Sequence, residues 1–301
     1  MKIDTHQHFW RYRKPDFPWI SESMLLLRQD RMPADSLPEM RACGVDGIVA
    51  VQARGSLAET DFLLQLAAQE PRILGVVGWA DLSAEGLGKQ LEQWVGQTAL
   101  KGFRHILQDE PNMATLIESV AFNRGVSLLQ EKRFVYDVLV FGHQLPAAVD
   151  FCRRHDSHWL VLDHVGKPAV RDWGGNAQVE EDWSAAIREL AVMPHVMCKL
   201  SGLVTETDWQ KNGGTTSDDE RVIHTCFDLA LEVFGPERLM FGSDWPVCEL
   251  ATGYSSVHSI AQTWATTRLS ESGQAAFWGG NAVRTYSLLA PSKSALDSPV
   301  T

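Results

Sequence analysis

Asp4, His6 and His8 alternate within the opening stretch MKIDTHQHFW. In an extended strand, residues two apart share a face and stand about 6.5–7 Å apart. Two imidazoles at the end of such a strand can converge on one small object, either a zinc ion held at ~2.0–2.1 Å from each nitrogen or a polarised substrate oxygen. Two later apolar runs also end in polar residues: Leu162-Asp163-His164-Val165-Gly166 and Phe241-Gly242-Ser243-Asp244-Trp245-Pro246. A carboxylate and three imidazoles brought together in a folded interior must be satisfied by one another, by a metal or by a ligand. His6, His8, His164 and Asp244 are therefore the candidates for chemistry on a bound small molecule.

The elements that must position these groups repeat along the chain. Eight short β-rich runs are present: MKIDTHQH, VDGIVAVQA, ILGVVGWADL, KGFRHIL, FVYDVLV, WLVLDHV, VMCKLSGLV and LMFGSDWP. Segments with helical period separate most of them. One begins at Asp35 and stops at Gly44; another runs from Asp218 to Phe234 and is ended by Gly235-Pro236. Strands alternating with helices imply parallel pairing, and several runs are apolar on both faces, as doubly covered strands must be. Eight such units over residues 1–290 predict one α/β domain, a (β/α)8 TIM barrel, followed by a flexible tail over 291–301. A doubly wound open sheet is the other arrangement of this pattern, but no G-x-G-x-x-G turn follows the first run. In a barrel all strand C-termini open on one mouth, which brings the three polar run ends together. The irregular stretch WRYRKPDFPWISESM, directly after the first run, is expected to lie over that mouth.

Bulk properties narrow the partners. The chain has 301 residues, 45% of them hydrophobic and 22% charged, with a net charge of −11. Such an acidic surface repels a phosphate backbone, so nucleic acid is not expected as a partner. No apolar run is long enough to span a bilayer, so no membrane association is expected either. The N-terminus carries no signal-peptide hydrophobic stretch. Five scattered cysteines without a C-x-x-C pair read as free thiols, and the expected location is the cytoplasm. Assembly into a homo-oligomer is compatible with this composition.

The motifs D-T-H-x-H, D-H-x-G-K-P and F-G-S-D-W-P, in that order, resemble the amidohydrolase superfamily. Gly280-Asn281-Ala282 with Arg284 and Tyr286 is similar to its amidohydrolase-2 branch. Within that branch KGFRHILQDEP, DHVGKP and CKLSGLVTE resemble the lactonases, which open L-fucono-, L-rhamnono- or 2-pyrone-4,6-dicarboxylate lactones. The resemblance implies hydrolysis of a small-molecule lactone, with a sugar-acid lactone of the L-fuconolactone kind preferred. A dicarboxylate would call for two or more pocket cations, and only Arg104 stands out. A metal-dependent decarboxylase of the same superfamily is the further alternative. Two departures from the superfamily bear on metal: Lys101 stands at the start of the fourth run, facing the wrong end of a barrel, and the fifth run carries Asp137 with no histidine, His143 lying beyond it. A binuclear site is thus not expected. A single divalent ion such as zinc, held by His6, His8 and Asp244, remains compatible, and lactonases that work without metal make it dispensable.

The expected roles follow. Asp244 is the general base and acid, and His164, His6 and His8 polarise the carbonyl directly or as metal ligands. Arg104, Trp10, Gln52, Trp79 and Trp245 are the expected substrate contacts, with Trp19 also at the mouth. Lys199 reads as a paired internal lysine. Asp163, next to His164 in an alternating strand, is expected to point outward to the helices. Because Asp244 must be ionised and the histidines neutral, activity is expected to rise through pH 6–7.

Overall fold

Each of the eight apolar runs becomes a strand: β1 (Ile3–Gln7), β2 (Gly47–Val51), β3 (Ile73–Gly78), β4 (Leu100–His105), β5 (Val135–Val138), β6 (Leu160–Leu162), β7 (Val196–Leu200) and β8 (Leu239–Phe241). A computed structural model describes residues 1–289; the expected tail over 291–301 lies outside the described residues. The strands form one parallel sheet in sequence order. It closes on itself where β8 returns to β1. There Thr5 Oγ1 donates to Phe241 O at 2.6 Å, Asp244 N to His6 O at 2.9 Å, and His8 N to Trp245 O at 2.7 Å. These bonds make a (β/α)8 barrel in a single domain, as the strand and helix pattern predicts.

Two apolar layers result. Phe103, Tyr136, Leu160, Leu162 and Phe241 pack outward against the helices. Ile3, Val49, Val77, Val135, Val161, Met197 and Met240 fill the barrel axis. Two residues further along several strands the axis turns polar: Val135 is followed by Asp137, Val161 by Asp163 and Met197 by Lys199. The two-residue period of a strand thus stacks an ionic layer directly above an apolar one. Helix Asn281–Tyr286 packs across the opposite end, and its Tyr286 ring joins the inner apolar cluster.

The helices start and stop as local chemistry directs. Helix Ser217–Phe234 is capped by Thr216, whose hydroxyl accepts from Asp219 N, and it ends at Gly235 with φ +71°. Helix Pro33–Ala42 opens with Asp35 accepting from Met32 N at 2.8 Å and is followed by Gly44 at φ +67°. The segment after β1 builds its own small core from Trp10, Phe17, Ile20 and Leu27, and so covers the mouth as a packed structure.

Candidate active site

The ionic layer comes first, because everything above rests on it. Lys199 Nζ donates to Asp137 Oδ2 at 2.6 Å and pairs with Asp163 Oδ1 at 3.0 Å. Arg104 Nη1 donates to Asp163 Oδ2 at 2.9 Å, and its Nη2 donates to Gln52 O at 2.5 Å. Tyr286 Oη donates to Asp137 at 2.8 Å. All these charged side chains are buried. Two acids therefore balance two bases, which is what allows four charges to be kept out of water. Lys199 is the paired internal lysine its sequence context implies. Asp163 is not directed outward as expected. It is the inward residue that follows Val161 in the alternation, while His164 lies beyond the strand. Residues 164–167 all have positive φ, and this left-handed turn swings the His164 ring back over the barrel axis. Non-glycine residues incur a conformational cost in that region. The turn is held by Trp183 Nε1 donating to Val165 O at 2.9 Å and by Lys167 N donating to His164 O at 2.9 Å.

Above this layer stand His6, His8, His164 and Asp244, brought together as expected. Asp4 does not join them: the β1 register shifts between Asp4 and Gln7, and the Asp4 carboxylate instead accepts from Gln7 Nε2 and Ser243 N. His6 Nε2 and His8 Nε2 are 3.2 Å apart, and Asp244 Oδ1 lies 3.7 Å from the first and 3.2 Å from the second. The proton position of His8 follows from its partner. His8 Nδ1 faces Val51 O at 2.8 Å, and a carbonyl only accepts, so the His8 proton is on Nδ1. His6 lies between two cations that only donate, Arg104 Nη1 at 3.2 Å from its Nε2 and Lys199 Nζ at 3.3 Å from its Nδ1, with Asp163 Oδ1 also 3.3 Å from Nδ1. The His8 Nε2 lone pair therefore faces the Asp244 carboxylate, acceptor against acceptor. An acceptor buried against acceptors calls for a cation, and the spacing suits one: ligand atoms around a tetrahedral zinc stand about 3.3 Å apart. His6, His8 and Asp244 thus fit a single divalent ion. A second triad, His6, Asp163 and His164, also has its donor atoms within 4.8 Å of one another.

Burial alone would raise the Asp244 carboxyl, but the imidazoles of His164, His8 and His6 outweigh it and hold the group well below the usual carboxylate range. Burial pushes His164 down to about 4 and His6 well below its ordinary value. At neutral pH the site thus presents an ionised Asp244 beside neutral His6 and His164 rings.

The mouth opens into a cavity of about 350 Å³ whose lining includes His8, Arg104, His164 and Asp244. His6 is fully buried beneath it, so a ligand reaches His8, His164 and Asp244 but not His6. The expected aromatic contacts need correction. Trp10 lies wholly inside the small core after β1, its Nε1 donating to Gln29 O at 2.9 Å. Trp245 is buried, its Nε1 donating to Glu249 Oε1 at 2.7 Å. Gln52 is enclosed and donates to Arg104 O at 3.1 Å, so it supports Arg104 from behind. Trp79 lines a neighbouring groove with Arg54 and His105. The tryptophans that do line the cavity are Trp19 and Trp209. Arg104 is also not the only cation there: Lys167 and Arg171 line it, both paired with Glu206, at 3.6 and 2.8 Å. Lys167, Glu206 and Gln108 sit in loops after β6, β7 and β4, where no periodicity marks an inward residue. Their only sequence signal is inclusion in DHVGKP, CKLSGLVTE and KGFRHILQDEP. Lys101 is at the far end of the barrel, bonded to Ser287 O, and His143 stacks on Phe141 away from the centre.

A parallel barrel with a buried carboxylate between imidazoles at its C-terminal mouth defines a class of hydrolytic enzymes that act on small molecules. The chain belongs to the amidohydrolase family, whose model matches residues 3–288. It is 51% identical to an L-fucono-1,5-lactonase of Burkholderia multivorans, over 98% of this chain and 99% of that one. An L-fucono-1,5-lactonase of Burkholderia ambifaria is 31% identical over 97% of each chain. A crystal structure of an amidohydrolase from Burkholderia multivorans with bound zinc superposes with a TM-score of 0.92 at 52% identity, covering 96% of this chain and all of that one.

Proposed function

We propose that this enzyme opens a sugar-acid 1,5-lactone of the L-fuconolactone kind by attack of water on the ring carbonyl. The chain is a lactone-hydrolysing enzyme; its particular lactone and the roles below are the proposal. The carrying observation is the Asp244 carboxylate, held ionised by its imidazole neighbours, on the floor of a cavity that His8 and a His164 lowered to about 4 also line. Near full-length identity to two L-fucono-1,5-lactonases supports the choice of lactone.

Asp244 takes a proton from water as that water attacks, then returns it to the ring oxygen as the C–O bond breaks. His164 faces Ser201 Oγ at 2.9 Å through Nδ1, which leaves its Nε2 for the carbonyl oxygen that gains charge. His6 acts from below, through His8 and Asp244. Arg104 lines the cavity and places its positive charge beneath the ligand. Lys167 and Gln108, 3.0 Å apart at the cavity wall, offer polar contacts for ring hydroxyls. When a zinc ion is bound at His6, His8 and Asp244, it supplies Lewis-acid polarisation and a more acidic water. The pairing of Lys167 and Arg171 with Glu206 leaves little free positive charge, which favours a neutral sugar lactone over a dicarboxylate.

The test is a pH-indicator assay over a panel of aldonolactones and 2-pyrone-4,6-dicarboxylate, with and without chelator. L-Fucono-1,5-lactone is expected to give the highest kcat/KM. Acid release from none of the lactones, or faster opening of the dicarboxylate, overturns the reading.

A further inference from the structure

The two donor triads at the barrel centre share His6, yet they are not equivalent. In the upper one, His6, His8 and Asp244, the His8 Nε2 lone pair faces the Asp244 carboxylate, and the nearest cation, Arg104, touches only its His6 edge, at 3.2 Å from Nε2. The lower one, His6, Asp163 and His164, has a cation of the chain against it. Lys199 Nζ lies 3.0 Å from Asp163 Oδ1, 3.3 Å from His6 Nδ1 and 2.6 Å from Asp137 Oδ2. Asp163 Oδ1 makes no hydrogen bond of good geometry among the described residues, so its contact with the ammonium is charge against charge. That is how an oxygen meets an ion. The seat is fully buried and electrically closed, with Asp137 and Asp163 against Lys199 and Arg104. A divalent ion added there would leave a buried excess of positive charge.

We propose that Lys199 is a built-in cation occupying the lower of two adjoining ion seats, so that the protein takes up at most one divalent ion, at His6, His8 and Asp244. Removing the lysine side chain would leave Asp137, Asp163 and the His6 and His164 rings around a vacant anionic space. Nitrogen and oxygen donors of this kind suit Zn²⁺ or Mn²⁺. The inference does not depend on which lactone is cleaved, because its readout needs no substrate.

The experiment compares the chelator-stripped wild type, Lys199→Ala and Lys199→Ala/Asp163→Asn after equilibration with Zn²⁺ and removal of the excess. Bound metal is counted by elemental analysis, and folding is checked by circular dichroism. Wild type is expected to hold no more than one equivalent. Lys199→Ala should hold one more than wild type, and the double variant should lose that extra equivalent. Should Lys199→Ala fold poorly, its refolding yield is compared in Zn²⁺ or Mn²⁺ and in chelator. Recovery only with metal supports the assignment, and recovery indifferent to metal overturns it. Two equivalents in wild type, a folded Lys199→Ala with the wild-type count, or an extra ion that survives Asp163→Asn also overturns it.

Discussion

At the scale of single residues, Asp244 and His164 line the cavity and stand against the fully buried His6. Asp244→Asn keeps the shape and removes the base. With Asp244 as the proton carrier, kcat is expected to fall about 10²–10⁴-fold, the usual worth of a positioned acid–base group. KM should change little. An Asp244→Asn enzyme within tenfold of native turnover sinks the role. The same measurement run across pH tests the protonation states. Burial holds His164 near 4, and the neighbouring imidazoles keep Asp244 ionised against the effect of burial, so kcat/KM should stay level down to about pH 5 and fall below it. Ordinary imidazoles would put this rise at pH 6–7, as the sequence alone leads one to expect. Type and spacing say which residues can titrate, but burial sets where.

Among the elements, the strands are legible in the sequence and the turns are not. Runs such as GIVAV and ILGVVG, apolar on both faces, read directly as buried parallel strands. Alternation counted from His164 points Asp163 outward, but β6 ends two residues earlier, at Leu162. The left-handed turn at 164–167 has no signature in hydrophobic period. It also explains a glycine. Gly202, after β7, has φ +67°, and a Cβ there would stand 2.4 Å from His164 Nδ1. Trp10 and Trp245 depart from their expected place for a related reason: nearness to a strand end does not tell which way a ring turns, and both rings are buried with a partner for their Nε1 groups. Gly202→Ala is therefore expected to displace the His164 ring, lowering kcat at least tenfold. The backbone alone adds a cost of about 1–2 kcal/mol. Thermal unfolding and kinetics on the same preparation check both effects. Native kcat in a correctly folded Gly202→Ala protein would show that His164 placement does not matter.

For the molecule as a whole, the barrel's enclosure of polar groups sets how stability responds to pH. His155 and His258 lie away from the cavity lining, both buried and both lowered to about 4 by desolvation. In the unfolded chain a histidine binds its proton below about pH 6.5. The sign follows: between 6.5 and 4 the unfolded chain takes up protons that the folded chain refuses, so stability is fully present above 6.5 and declines on acidification. His164 and His6 act in the same direction, and so do the carboxyls of Asp163 and Asp244, which are held low in the fold and lose their contribution below about pH 4. The buried carboxyls of Asp137, raised to about 6, and of Asp4 and Glu59, also raised by desolvation, act the other way in this window and offset part of the loss. Tm measured from pH 8 to 4.5 should therefore be lower at 4.5 than at 8, with the fall beginning below 6.5. His155 accounts for part of that fall, because its Nε2 is bonded to Asn123 Oδ1 at 2.8 Å while its Nδ1 has no partner among the described residues to stabilise a second proton. In His155→Gln the decline between 6.5 and 4.5 should be shallower than in wild type, with Tm at pH 8 lower because a packed ring is lost. Equal slopes in the two proteins would mean that this buried imidazole is not one of the groups that couple folding to protons.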